Sequence, residues 1–254
     1  MDTKIVRYIL CRMLGVEAAL LLVPVLVAVI YQEKCGIVFL IPIVILCLLF
    51  WVVGRKRPEH GQIYGKEGMV IVALAWILWS LFGAMPFTLS GYIPSYVDAF
   101  FETVSGFTTT GSSIIPDVEV LPHCLLFWRS FTHWIGGMGV LVFVLVVTSL
   151  DRKNSMHLMR AEVPGPEKDK LVPKAMSTAR ILYGMYLTLT VIEMVFLVIG
   201  GMNLFDSMIF SFGSAGTGGF SNYADSVAHF NSAYIDGVIT VFCALFGVNF
   251  ALFY

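Results

Sequence analysis

A chain of 254 residues that is 58% hydrophobic and only 13% charged, with a formal net charge of −1 and a mean hydropathy of +0.84, lies far outside the soluble globular balance. It reads as an integral membrane protein, and a near-zero charge carries no information about a nucleic-acid partner. Cys11, Cys35, Cys47, Cys124 and Cys243 show neither CxxC nor metal-ligand spacing, and the histidines form no cluster, which argues against a disulfide framework or a metal-ligand cluster.

Apolar stretches at 13–30, 37–53, 69–90, 123–149, 181–200 and 235–254 are each near the roughly 20 residues that cross the hydrocarbon as a helix. The first, flanked by Lys4, Arg7 and Arg12, has the outline of a signal peptide. It lacks a small-residue cleavage site, though, and a second apolar stretch follows at once, so it reads as a helix. Residues 1–67 then form an N-terminal helix pair. Residues 68–150 form a first unit, 151–175 a loop, and 176–254 a second unit that stops inside an apolar helix.

Within the first unit, Val97, Phe100, Phe101 and Val104 give residues 95–106 the spacing of a short helix descending from outside. It is too short to span. Thr108-Thr109-Thr110-Gly111-Ser112-Ser113 follows, a polar segment inside membrane-like sequence. The span after it carries Arg129, which is expensive in a membrane and therefore functional by default. Arg129 neutralises a carboxylate near the short helix, such as Glu102, or influences gating; a snorkelling arginine at the outer interface is the competing role. His133 lies one turn on, on the same face, and Gly136, Gly137 and Gly139 permit close helix approach. Trp76, Trp79, Tyr92 and Tyr96 read as interfacial or packing aromatics. Glu17 and Glu193 fall within spans, where buried hydrogen bonding is favoured over a cation or proton ligand.

The second unit repeats the pattern. Residues 203–214, with Leu204, Phe205, Met208, Ile209 and Phe212, form a short helix ahead of Gly216-Thr217-Gly218-Gly219-Phe220-Ser221. Sliding the chain by 108 residues puts Asp98 on Asp206, Thr109 on Thr217, Gly111 on Gly219 and Ser113 on Ser221, and aligns the flanking spans. Irregular backbone at membrane depth is tolerated where it is buried in protein or lines water. A helix C-terminus aimed at the bilayer centre favours a cation there. Glycine at 111 and 219 lets successive carbonyls turn toward one axis, with Thr109, Thr110, Ser112 and Thr217 adding hydroxyls. The bland alternative is a pair of surface turns rich in Gly, Ser and Thr. The recurrence at matched positions speaks against it.

Fourteen of the sixteen Lys and Arg lie before the first span, between the second and third, or between the fourth and fifth. The positive-inside rule then places the N-terminus in the cytoplasm. The opposite side carries Asp98, Glu102, Asp117, Glu119, Asp206 and Asp225 in 91–122 and 201–234, with no Lys or Arg.

Phe101 to Gly111, Trp128-Arg129-Ser130, His133 to Gly139, Ala161 to Pro166 and Thr217 to Ser221 together resemble the Trk/Ktr/HKT superfamily of potassium and sodium transporters, in particular its TrkH-like subunits. The resemblance covers essentially the whole chain. It implies an all-α membrane fold of helix, re-entrant pore helix, filter loop and helix units. The filters would be 108–113 and 216–221, with Gly111 and Gly219 as key glycines. It further implies K+ as the transported ion, held at Thr110, Gly111, Gly219 and Phe220 with Thr109, Ser112, Thr217 and Gly218 lining the filter, and no covalently bound cofactor. Glycine at both positions favours potassium over sodium. Implied partners are a cytoplasmic TrkA-like nucleotide-binding regulatory subunit and a second copy in a homodimer, in the cell inner membrane. The family builds a pore from four repeats, whereas this sequence contains two, so an N-terminal fragment is expected, with a natural half-length subunit as the alternative. Two rivals remain. One is an alternating-access secondary transporter of another cation or small solute. The other is a membrane enzyme using His133 or Glu193, for which no serine motif, paired carboxylates or metal spacing is present.

Overall fold

In the computed structural model, which describes residues 3–54, 65–139 and 175–248, all regular structure among those residues is helical. Helix α1 (Thr3–Leu20) runs almost unbroken into α2 (Leu22–Ile30). Pro24 has no N–H to offer the Leu20 carbonyl, and the ladder interrupts over Leu21. The helix starts well before residue 13 because Ile5, Val6, Ile9 and Leu10 continue its buried stripe, leaving Lys4 and Arg7 exposed. A 3-10 turn (Lys34–Phe39), α3 (Leu40–Leu49) and a π-helical turn (Phe50–Gly54) make the second member of the pair. Then come α4 (Gly65–Leu89), α5 (Tyr96–Phe107), α6 (His123–Gly137), α7 (Ala175–Ile199), α8 (Leu204–Ala215) and α9 (Ala233–Gly247).

Four stretches are long and apolar enough to cross a membrane: Thr3–Ile30, Lys34–Gly54, Lys66–Leu89 and Ile181–Ile199. The expected spans 123–149 and 235–254 are represented by α6 and α9, since residues 140–149 and 249–254 lie outside those described. So do the basic residues at 55–57 and the loop expected at 151–175, except its last residue, which begins α7. Helix α4 begins at Gly65, so the expected boundary at residue 67 falls inside its first turn.

The short helices form where the sequence places their caps. Ser95 accepts the Asp98 N–H at 3.4 Å and Asn203 accepts the Asp206 N–H at 2.8 Å. Both aspartates also sit at the positive end of their helix dipole. Tyr96 to Leu204 and Phe107 to Ala215 are each 108 residues apart, so α5 and α8 match end to end. The flanking helices do not share that register. Bounds of α4 and α7, and of α6 and α9, are 110 apart, as are Gly91 and Gly201, the left-handed residues closing α4 and α7. The second unit is two residues shorter before its short helix and two longer after its polar segment. Two compensating length changes therefore hide in the loops.

Helix α6 is the keystone. It packs against α5 on one side, α8 on another and α2 on a third, and every residue from Cys124 to Ile135 is buried. Its counterpart α9 buries only Ile235, Phe242 and Phe246. Buried polar groups on α6 reach partners across the interfaces: Trp128 Nε1 donates to Gly83 O at 2.9 Å and Trp134 Nε1 to Thr190 Oγ1 at 3.2 Å. Of the four aromatics noted in sequence, Trp79 is fully buried against Phe107, which makes it a packing residue.

Besides the α2 packing, one carboxylate ties the N-terminal pair to this keystone. Pro122, the residue before α6, has no capping side chain; Glu33 accepts instead from His123 N at 2.7 Å and Cys124 N at 3.0 Å. Tyr31 stacks on the His123 ring at 4.0 Å. Burial alone would raise the Glu33 pKa, but the Cys124 and His123 donors outweigh it and hold it below the usual carboxylate value. A lowered folded-state pKa means that the stabilisation is present above the unfolded value and disappears as pH falls through the folded one. Glu33→Ala is expected to lower stability by about 1 kcal/mol near neutral pH, with the difference from the parent shrinking at acidic pH. Thermal unfolding of the detergent-solubilised protein across pH checks this, and a pH-independent difference would refute the cap.

Candidate functional site: paired filter-like segments

Each short helix ends in the same way. Thr109 N donates to Gly106 O at 3.0 Å and Thr110 N to Ser105 O at 2.9 Å; Thr217 N donates to Ser214 O at 2.9 Å and Gly218 N to Gly213 O at 3.2 Å. This is the Schellman arrangement, which requires a left-handed residue just past the helix. Thr109 and Thr217 take that role at φ 54° and 55°. A β-branched residue there is unusual, because a left-handed backbone crowds its Cβ.

The next left-handed residues are Gly111 and Gly219, at φ 77° and 78°. Each segment thus holds two left-handed residues, 109 and 111 in the first and 217 and 219 in the second, separated by one residue outside the positive-φ region. In an ordinary extended strand successive carbonyls point to opposite sides. Left-handed residues break that pattern, and carbonyls gathered on one side are the arrangement that replaces an ion's hydration shell in carbonyl filters. Thr110, Ser112, Thr217 and Gly219 are exposed, whereas Phe220 and Ser221 are buried. The Thr110 hydroxyl pairs with that of Thr108 at 2.8 Å, bracing the loop.

The two segments touch. A Cβ built on Gly111 would stand 1.9 Å from the Gly218 carbonyl oxygen, and one on Gly218 would stand 2.8 Å from Thr109 O. On Gly219 it would meet nothing within 4 Å. Gly111 is therefore constrained twice, by dihedral and by its neighbour, and Gly219 by dihedral alone.

Arg129 reaches both segments' neighbourhoods through two hydrogen bonds and a ring contact. Its Nε donates to Glu102 Oε1 at 2.6 Å, one terminal nitrogen donates to Ser221 O at 2.9 Å, and its guanidinium carbon sits 3.6 Å from the Phe220 ring centre. Arg129 is 4% exposed and Glu102 is not exposed, so the snorkelling alternative does not hold. Glu102 in turn accepts from Ser113 Oγ at 2.9 Å and Ile114 N at 3.0 Å. His133 is buried against Phe220 with ring centres 4.0 Å apart; neither ring nitrogen has a hydrogen-bond partner, so it packs rather than joining the polar network. Its ring fills the space beside Gly218. Gly136 allows α6 to approach the Phe107 carbonyl, where a Cβ would stand 2.1 Å away.

In the second unit Asp206 does the holding. It accepts from Asn222 Nδ2 at 2.6 Å, Tyr223 OH at 2.9 Å and Asn203 Nδ2 at 2.7 Å. Glu17 and Glu193, expected to form buried hydrogen bonds, are buried without hydrogen-bond partners for their oxygens among the described residues. No group of three or more His, Cys, Asp or Glu suited to a metal ion occurs among the described residues.

Three comparisons bear on this geometry. Residues 36–254 match the model of the TrkH family, described as a cation transport protein. The Trk system potassium uptake protein TrkH of Escherichia coli (strain K12) is 37% identical over 238 residues, covering 91% of this chain and 49% of that protein. TrkG of the same organism is 35% identical over 237 residues, covering 92% and 49%. The crystal structure of the potassium transporter TrkH from Vibrio parahaemolyticus superimposes with a TM-score of 0.84 at 30% identity, covering all of this chain and 51% of that one. The chain spans about half the length of the curated relatives it matches. With four membrane-length apolar stretches and a family match that begins at residue 36 and runs through both polar segments, the chain belongs to the TrkH family of cation transport proteins.

Proposed function

We propose that this chain supplies two filter segments to a pore that carries potassium into the cell across the cytoplasmic membrane, as the pore-forming subunit of a Trk-type system. The observation that carries the reading is the pair of left-handed residues at 109 and 111, repeated at 217 and 219 within 1° at each position. A turn needs only one such residue; two with one residue between them, twice, on adjacent segments suit a shared cation path. Potassium comes from the relatives, which are named as potassium uptake proteins. Twelve-residue helices that end in non-helical backbone fit re-entrant pore helices better than the midplane helix breaks of alternating access.

The contact between Gly111 and the Gly218 carbonyl also suggests how the path closes. Repeating it about an axis would bring a further filter segment against Gly219, and the Trk/Ktr/HKT resemblance implies four such segments in the conducting unit. Thr110, Gly111, Gly219 and Phe220 supply the ion-facing carbonyls on this chain's side. A TrkA-like nucleotide-binding subunit on the cytoplasmic side and a homodimeric arrangement complete the assembly. The N-terminus lies in the cytoplasm.

In the complete protein, Gly111→Asp or Gly219→Asp is expected to abolish rubidium uptake and potassium-dependent growth in cells lacking other potassium uptake systems, at unchanged membrane abundance. Wild-type uptake in both variants would reject the filter. The alanine variants separate the two glycines: Gly219→Ala adds only left-handed strain of about 1–2 kcal/mol, whereas Gly111→Ala drives a methyl into the Gly218 carbonyl. Thermal stability in detergent is expected to fall further for Gly111→Ala, and equal losses would contradict the contact.

A further inference from the structure

The geometry points to Arg129 as a positioning residue that sets the selectivity of both filter segments, including the one that belongs to the other unit. This rests on the filter reading above and assigns its control to a single side chain.

Three observations carry it. First, the reach is asymmetric. The guanidinium lies on α6 of the first unit, yet two of its three contacts, the Ser221 carbonyl and the Phe220 ring, are in the second unit's segment. The third is Glu102, whose second oxygen fixes Ile114 N, just past the first unit's filter. One buried ion pair therefore holds the trailing ends of both segments. Second, the device is not duplicated. The residue 110 after Arg129 is Ile239 and the residue 108 after Glu102 is Phe210, so the second unit has no such pair of its own. Third, the pair is electrically closed. An uncompensated guanidinium behind the carbonyls would repel the cations they serve, and Glu102 in direct contact cancels it. What remains is geometry: a planar fork with one edge on Glu102, another nitrogen on a carbonyl, and one face on an aromatic ring. Lysine has the charge but not the fork or the face.

The test uses the complete protein, with Arg129→Lys, Arg129→Gln and Phe220→Leu. Hydrogen exchange of the purified protein is read first and needs no assumption about the ion. Arg129→Lys is expected to speed amide exchange in 219–223 and 112–115 by about tenfold or more while leaving 97–104 protected. The second readout is the ratio of rubidium to sodium uptake at matched membrane abundance. It is expected to fall about tenfold in Arg129→Lys and to an intermediate value in Phe220→Leu, which removes the stacking face while keeping both Arg129 hydrogen bonds. Loss of uptake with an unchanged ratio would reveal a merely structural arginine and overturn the proposal. So would wild-type exchange at 219–223 in Arg129→Lys, whichever ion is carried. If Arg129→Gln fails to reach the membrane, the other two variants decide. Absence of rubidium uptake by the unmutated protein would instead reject the potassium reading, with the exchange data still judging the clamp.

Discussion

The described fold holds two stretches of backbone that leave their helices between apolar helices, buried at Phe220 and Ser221 and open at Thr110 and Gly219. A peptide group stripped of water and left unpaired costs a few kcal/mol, so irregular backbone at membrane depth persists only where something else satisfies it. The N–H groups at the start of each segment are satisfied inward, by the Schellman bonds to Ser105 and Gly106, and to Gly213 and Ser214. The two positive-φ residues in each segment, 109 and 111 and 217 and 219, then set the path of the backbone beyond the helix. The first donors of each segment are thus used in holding its shape.

Holding that shape from behind is done differently in the two units. The first uses a charge pair, Arg129 with Glu102; breaking a buried pair by removing one partner costs about 3–5 kcal/mol, since the other charge is then stranded. The second uses a carboxylate, Asp206, surrounded by neutral donors from Asn203, Asn222 and Tyr223. Both solutions place an acidic side chain on the short helix and make it accept from the strand leaving the filter. They differ in depth, since Asp206 sits in the first turn of α8 and Glu102 further along α5. Asp98, the counterpart of Asp206, stays at the helix start as part of a cap. Sequence symmetry at 98 and 206 therefore hides a division of roles.

Much of this was legible in the sequence, for identifiable reasons. The short helices fell within one residue of their bounds, since Ser95 and Asn203 are capping residues and the apolar spacing behind them is helical. The 108-residue register was visible where identities survive, in the polar segments. It failed for the flanking helices because apolar spans tolerate any aliphatic residue, so two offsetting loop changes left no identity to mark the 110-residue register. Glu102 was legible as a partner for Arg129 because few carboxylates lie near. The Ser221 carbonyl was not, since a backbone acceptor leaves no trace in residue type. Glu33 capping α6 from ninety residues away is equally silent. Glu17 and Glu193 misled, because a carboxylate in a span implies a partner and these have none by hydrogen bond among the described residues.

The left-handed threonines are the hardest feature to anticipate and the most telling once seen. Glycine at 109 and 217 would relieve a strain of about 1–2 kcal/mol at each site, and glycine is what a Schellman turn usually has. Glycine would also open other backbone basins to a segment whose carbonyl directions matter. Threonine closes them: the Thr109 methyl packs against Gly136, 3.1 Å from where a Cβ would stand, so the α6 glycine receives the side chain that fixes the turn. Strain of this kind survives where the surroundings over-determine it. Here they do so through two hydrogen bonds, a packed methyl and the clamp beyond. At 111 the order reverses. No side chain fits against the Gly218 carbonyl, so contact rather than packing imposes the dihedral. The first segment is thus pinned first by a residue that is rigid and then by one that is small, which lowers the number of backbone basins open to it.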